Sequence, residues 1–122
     1  MHPIQTPNAP LAIGPYSQGM EVGNLVYTSG QIPVDPLTGL IPDGIEAQAA
    51  LSCRNVGAVL QAAGADFKNV FKTTCFLADM NDFAQFNAVY EKYFISKPAR
   101  SCVAAKALPK GVLCEIEAIA VK

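Results

Sequence analysis

The chain of 122 residues contains a single histidine and no two cysteines close together in sequence. The histidine, His2, stands near the N-terminus, where chains are commonly loose, so we expect no histidine-based catalytic dyad or triad. A structural zinc site needs clustered Cys and His ligands, which are absent, so the sequence predicts no metal site. Acid–base chemistry must then come from a carboxylate, a thiol, a tyrosine or the substrate itself. The four separated cysteines are Cys53, Cys75, Cys102 and Cys114.

The sequence also lacks strong charge of either sign, long apolar runs and a secretion signal. The net charge is −1 and no stretch is strongly basic, which argues against a nucleic-acid-binding surface. No apolar run approaches the roughly 20 residues of a membrane span. Residues 1–5 show neither the basic region nor the apolar core of a signal peptide. We therefore expect a cytoplasmic protein with reduced thiols and no membrane partner.

Apolar side chains are what the sequence has in excess. Hydrophobic residues make up 51% of the chain, and the mean hydropathy of +0.25 is high for a small protein without membrane spans. The length predicts one domain, residues 1–122, which is large enough to bury a core of its own. Apolar surface beyond that core is expected to lie against other copies of the chain.

Hydrophobic periodicity predicts an α+β chain with the element order β-β-α-β-α-β-β, preceded by a short edge strand near Ile4–Thr6. Two helices can cover only one face of such a sheet, so the other face would be open in a monomer. This favours a homo-oligomer with that face inside and a site at the seam between subunits.

Strict alternation predicts Val70 on the same face as Lys72, with Phe71 on the opposite face. The predicted elements are strands at Tyr16–Met20, Leu25–Ile32, Asn69–Ala78, after Pro98 and at Val112–Val121, and helices at Ile45–Ala63 and Asp82–Phe94.

The strand after Pro98 carries an arginine among small and β-branched residues. Alternation puts Arg100, Cys102 and Ala104 on one face of this strand. A buried guanidinium needs a partner, and its planar fork fits a carboxylate or a phosphate through two parallel hydrogen bonds. Two interpretations of Arg100 follow: it pairs with an Asp or Glu of its own chain, or it holds the anionic group of a ligand.

Other polar groups stand at strand positions of the apolar pattern. Glu115 and Glu117 lie among aliphatic residues, where desolvation would favour the neutral carboxyl group and suit water activation. Alternatively, they reach solvent or pair with Arg100 or a lysine. Cys102 is a candidate nucleophile for which the sequence supplies no base. Tyr16 either closes a pocket or packs in the core.

Seven stretches, taken in order, form a pattern that covers nearly the whole chain. With them the chain resembles the reactive intermediate deaminases, the RidA/YjgF family of enamine/imine hydrolases. The stretches are Ala9–Pro10 with AIGPYSQ at 12–18, YTSGQIP at 27–33, AAGA at 62–65, KTTCFL at 72–77, NDF at 81–83 with Asn87, PARSCV at 98–103, and Leu108–Pro109 with EIEAIAV at 115–121.

The resemblance implies a chorismate-mutase-like α+β fold, with two helices on one face of the sheet. It also implies a homotrimer with helices outside, an inner barrel of sheets, and three sites at the subunit seams. In such a site Arg100 holds the substrate carboxylate and Glu115 positions the attacking water, while Cys102 contributes through its backbone. The remaining substrate-binding positions of the family fall on Tyr16, Ser29, Gly30 and Asn87.

The implied activity is that of a 2-iminobutanoate/2-iminopropanoate deaminase. Enamines and imines released by pyridoxal-phosphate-dependent serine and threonine dehydratases would be hydrolysed to 2-oxo acids and ammonia, with no metal or organic cofactor. Two other functions stay open: a non-catalytic sensor of 2-oxo acids, and a translation inhibitor or ribonuclease. The short link Ile95–Lys97, with Lys97 where an aromatic residue is common, departs from the family pattern at the rim of the site and bears on substrate range.

Overall fold

A computed structural model describes all 122 residues, which form one six-stranded sheet and two α-helices. The strand order is β1-β2-β3-β6-β4-β5, and only the pair β4 and β5 is parallel. The predicted α+β class and the order of elements are confirmed. The elements are β1 (His2–Ile4), β2 (Gly19–Val22), β3 (Leu25–Thr28), α1 (Ile45–Ala62), β4 (Val70–Leu77), α2 (Phe83–Tyr93), β5 (Ala99–Ala104) and β6 (Cys114–Val121).

Both helices pack on the same face of the sheet, as predicted. Along β6, Cys114, Ile116, Ala118 and Ala120 are buried in one core with residues of α1 and α2. The alternate β6 residues point to the opposite face, which no element of this chain covers. The chain therefore has a helix-covered face and an open face. Neither helix is long and apolar enough to cross a bilayer.

The three strands before α1 differ from the prediction in their bounds. The edge strand predicted near Ile4–Thr6 lies at His2–Ile4. The strand predicted at Tyr16–Met20 begins instead at Gly19, and the one predicted at Leu25–Ile32 ends at Thr28. Beyond Thr28 only Gln31 returns to the sheet, through a two-way backbone pairing with Ile116. The backbone around Ser29 and Gly30 thus leaves the regular ladder, which periodicity alone does not reveal.

The predicted alternation at the start of β4 is wrong. A bulge lies between Val70 and Lys72, so Val70 is buried in the core while Phe71 is 45% exposed. A bulge inserts one residue against the partner strand and resets which side chains point inward. From Lys72 onward the alternation holds, with Thr73 and Cys75 on the helix-covered face.

Candidate active site

Arg100 lies on β5, which is an edge strand, and its side chain points to the helix-covered face. It pairs in register with the buried Thr73 of β4, and paired residues share a face. Its Nη1 donates a hydrogen bond to Asn87 Oδ1 at 2.8 Å. The guanidinium carbon lies 4.8 Å from the ring centroid of Tyr90 and 5.5 Å from that of Phe83. One helix, α2, therefore supplies all of these contacts.

No carboxylate of the chain pairs with Arg100. The only ion pairs are Lys68–Asp66 and Lys122–Glu21, both remote from β5 in the sequence. The interpretation that Arg100 is neutralised by an internal Asp or Glu is therefore wrong for this chain. A cavity of about 470 Å³ borders the guanidinium, and Lys97 also lines it. The remaining donors of Arg100 are free to bind an anion there.

Cys102 shares the face and the strand of Arg100. Burial raises the pKa of its thiol, with only partial compensation from the nearby Arg100 charge, so the thiol is kept protonated. This weakens the interpretation of Cys102 as a nucleophile. Ala105 donates its N–H to the Leu77 carbonyl of β4 at 2.9 Å. Since N–H direction alternates along a strand, the Cys102 N–H points to the free edge, where a ligand can accept from it.

Glu115 lies on the open face, beside Gly30. A Cβ atom on Gly30 would overlap the Glu115 carboxylate, so any larger residue at this position would displace that carboxylate. Burial raises the pKa of Glu115, and the charge of Glu117 on the same face raises it further. Neither glutamate forms an ion pair, so the alternative that they pair with Arg100 or a lysine is wrong. A partly desolvated carboxylate without a cation is a suitable base for a water molecule.

Tyr16 and Ser29 lie at the same end of the sheet as Gly30. Tyr16 is 50% exposed, which excludes ordinary core packing for its ring. It lines a cavity of about 220 Å³ together with Gly30 and Gln31. The Ser29 hydroxyl donates to the Ser17 carbonyl, and the Ser29 N–H donates to the Gln18 carbonyl at 2.8 Å. Ser29 therefore fastens the loop that carries Tyr16 to the end of β3.

The predicted site residues fall into two groups that one chain does not bring together. Arg100 and Cys102 lie on the helix-covered face of β5, and Glu115 lies on the open face of β6. Strand β4 stands between these two strands. A molecule held by Arg100 thus has the sheet between itself and Glu115 of the same chain. We name the two groups the arginine group (Asn87, Arg100, Cys102) and the glutamate group (Tyr16, Ser29, Gly30, Glu115).

Comparison with known proteins agrees with this fold. The model of the family described as Endoribonuclease L-PSP matches residues 6–122. The chain belongs to this family, RidA/YjgF. The 2-iminobutanoate/2-iminopropanoate deaminases of Salmonella typhimurium and Escherichia coli K12 are each 54% identical over 98% of this chain and 96% of their own.

Solved structures of RidA/YjgF proteins have the same fold. The crystal structure of E. coli TdcF with bound serine superposes with a TM-score of 0.97 at 50% identity, over 100% of this chain and 99% of that one. The E. coli YjgF gene product superposes with a TM-score of 0.97 at 52% identity, over 100% of this chain and 99% of that one. The chain therefore has the α+β architecture of RidA/YjgF structures along its whole length.

Sequence reasoning missed three buried amide side chains that hold the loops of this RidA/YjgF chain. Gln18 Nε2 donates to the carbonyls of Thr6, Ala9 and Pro10, and its Oε1 accepts from the Thr6 N–H. Asn55 of α1 donates to two carbonyls of the loop after Gln31, and Gln48 bridges two other loop segments. A polar residue at the spacing of apolar side chains, such as Asn55 between Leu51 and Val59 of α1, is the only sequence signal for this role.

Gln18→Ala is expected to lower the free energy of unfolding by about 1–3 kcal/mol, because it leaves buried backbone groups of the N-terminal arm without partners. Chemical denaturation measures this loss. Gln61→Ala, at an exposed position of α1, is the matched control and should change stability little. Equal stability of the two variants would contradict the anchoring role of Gln18.

Proposed function

We propose that this chain is an imine deaminase that hydrolyses 2-iminobutanoate and 2-iminopropanoate to 2-oxo acids and ammonia. The observation that carries the proposal is the guanidinium of Arg100, which no carboxylate of its own chain neutralises and which borders a cavity. Relatives that bear this activity in their names are 54% identical over nearly the whole chain. A planar guanidinium suits the carboxylate that every 2-imino acid carries.

The chemistry needs few groups, because the imine carbon is already electrophilic. Arg100 binds the substrate carboxylate and converts a random encounter into an oriented one. Glu115 holds a water molecule, whose oxygen adds to the imine carbon as the C=N bond becomes a single bond. One water proton passes through Glu115 to the nitrogen and gives a carbinolamine. The second water proton then moves from the new hydroxyl group to the nitrogen as the C–N bond breaks, which releases ammonia and leaves the C=O group of the 2-oxo acid. The Cys102 N–H, Asn87, Tyr16 and the Ser29–Gly30 backbone complete the binding site.

We propose that two copies of the chain complete each site, within a homotrimer whose sheets form an inner barrel. The separation of the arginine group from the glutamate group by the sheet supports this arrangement. The exposed apolar side chains of the open face and the free edge also support it. The exposed fraction is 49% for Val103, 41% for Tyr27 and 39% for Val121. Monomers seldom leave such a surface and an unprotected strand edge uncovered. All four cysteines are free thiols, which is consistent with a cytoplasmic protein.

Ammonia release measured beside a purified threonine dehydratase tests the proposal. The protein should accelerate ammonia release from the imine that the dehydratase produces, without added metal or cofactor. Light scattering should give three times the chain mass of 12.9 kDa. Binding of 2-oxobutanoate without any acceleration would instead support a 2-oxo acid sensor, and a monomeric mass would overturn the shared site.

The family description also contains the word endoribonuclease, so RNA is a second substrate to exclude. The net charge of −1 gives little attraction for a phosphate backbone, and the only histidine, His2, lies exposed at the N-terminus. Salt-dependent binding or cleavage of RNA by the protein, with no acceleration of imine hydrolysis, would favour the ribonuclease function over the deaminase.

Gly30→Ala is expected to lower kcat by roughly 10- to 100-fold, because the new methyl group would displace the Glu115 carboxylate from its position. Steady-state kinetics of ammonia release measures the loss. Gly14→Ala is the matched control, since a Cβ there meets only the Tyr16 ring at 3.5 Å, an ordinary contact. Unchanged kcat in Gly30→Ala would show that the position of Glu115 does not matter for the reaction.

A further inference from the structure

One stripe of α2 forms the surroundings of the Arg100 guanidinium. Phe83, Asn87 and Tyr90 are spaced at i, i+4 and i+7, which places them on one side of a helix. The two rings lie near the guanidinium, and Asn87 accepts its one hydrogen bond within the chain. The aromatic residues of α2 therefore do more than fill the core, because two of them hold a charged group.

The hydroxyl end of the Tyr90 side chain is also held in place. Its hydroxyl is hydrogen-bonded to Thr73 Oγ1 at 2.6 Å, and both residues are buried. Thr73 is the β4 residue that pairs in register with Arg100. The contacts close a ring of three links: Arg100 to Thr73 through the sheet, Thr73 to Tyr90 through the hydroxyl groups, and the Tyr90 ring back to the guanidinium. Burial raises the pKa of Tyr90 to about 12, so the phenol stays neutral.

A ring and a carboxylate hold a guanidinium in different ways. A ring attracts the cation through its π-electrons and takes none of the five N–H donors. A carboxylate partner would accept two of those donors and cancel the charge. The Tyr90 ring can therefore restrain Arg100 while its donors stay free for a ligand, and Asn87 takes only one of them.

We propose that Tyr90, held by Thr73, is a positioning residue that orients Arg100 for the carboxylate of the substrate. This inference rests on the proposed function for the identity of that carboxylate. Tyr90 also lines the cavity beside Arg100, and its proposed role is to act through the guanidinium. Its loss should reduce the preference of the site for a charged ligand over a neutral one of the same shape, which a general loss of packing would not do.

Calorimetric titration of the full-length protein with 2-oxobutanoate and with its neutral analogue 2-oxobutanamide tests the inference. Tyr90→Leu should raise Kd for 2-oxobutanoate about 10-fold while Kd for the amide stays the same. Tyr90→Phe and Thr73→Val keep the ring and should raise Kd for the oxo acid only about 2- to 4-fold. Tyr93→Leu is the control, because Tyr93 lies on the same helix but contacts Phe67 and Arg54 rather than Arg100. In ammonia-release kinetics the Tyr90 variants should raise KM more than they lower kcat.

The outcomes separate this inference from the proposed function. If the wild-type protein binds 2-oxobutanoate but releases no ammonia, the deaminase function fails while the Kd series still decides the role of Tyr90. Equal changes in Kd for both ligands, or none for either, would overturn the positioning role. Failure of the wild-type protein to prefer the oxo acid over the amide would overturn it as well. Should Tyr90→Leu not fold, the two milder variants carry the same comparison.

Discussion

Arg100→Ala is expected to lower kcat/KM for 2-iminobutanoate by at least about 100-fold. Hydrogen bonds to a charged group contribute about 1.5–3 kcal/mol each, and 1.4 kcal/mol is a factor of ten, so loss of a bidentate pair accounts for this size. The truncation also leaves the substrate carboxylate without its two-pronged partner in a partly desolvated cavity. Ammonia release beside a threonine dehydratase measures the effect.

Two other variants make the Arg100 experiment specific. Arg54 is the only other arginine and lies exposed on α1, so Arg54→Ala should keep wild-type kinetics. Arg100→Lys keeps the charge but not the planar fork, and it should recover only part of the activity. Wild-type kcat/KM in Arg100→Ala would remove the basis of the proposed function, because Lys97, the other cation that lines this cavity, lacks the planar fork.

Glu115→Gln is expected to lower kcat by about 10²- to 10³-fold, since it removes the proposed base but keeps the size of the side chain. KM should change little, because substrate binding depends on Arg100.

The activity of the wild-type protein should also depend on pH. Glu115 must be ionised to accept a proton from water, so activity falls as pH drops through its pKa, which burial and Glu117 hold above the ordinary value for a glutamate.

Glu117→Gln tests the electrostatic part of this account. Removing the second negative charge should lower the pKa of Glu115 and move the acid limb of the kcat profile to lower pH. The pKa of Glu115 should stay above its ordinary value in this variant, because burial is the larger cause of the increase and is unchanged. An acid limb at the same pH in wild type and Glu117→Gln, or no acid limb at all, would contradict the assignment of Glu115 as the base.

The raised pKa of Glu115 also predicts how the stability of the fold depends on pH. A carboxyl group whose pKa is raised in the folded state stabilises the fold in its neutral form, below its ordinary pKa, and this contribution is lost as pH rises through the raised value. Glu115→Gln should therefore be more stable than wild type at pH 7 and about equally stable below pH 4. Urea denaturation at the two pH values checks this, and a less stable variant at pH 7 would show that the carboxylate is favourably bound rather than desolvated.

The elements of this chain were largely predictable, and the misses have local causes. Long periodic runs gave α1, α2 and β6 within a few residues, because burial against one face requires a regular spacing of apolar side chains. The end of β3 and the bulge at Val70 were missed, because backbone pairing with the neighbouring strand decides where a strand ends or bulges, and the side-chain pattern does not show that pairing. The buried Gln18 carries no periodic signal, because its role depends on carbonyls that lie up to 12 residues away.

The candidate site was predictable as a set of residues but not as an arrangement. Motifs selected Arg100, Glu115 and their neighbours from the sequence. Only the strand order and register put Arg100 and Glu115 on opposite faces, and only the position of α2 put Tyr90 against the guanidinium. Which anion an arginine can bind depends on which partners the fold brings to it.

By itself the sequence determined the α+β class and the alternation that points Arg100 and Cys102 in one direction, because these follow from spacing along the chain. The tertiary structure decided whether the guanidinium is neutralised, what surrounds it and which face of the sheet each acidic group occupies. The physical reason is that ion pairing and desolvation act through space, between residues that the sequence separates and the fold brings together.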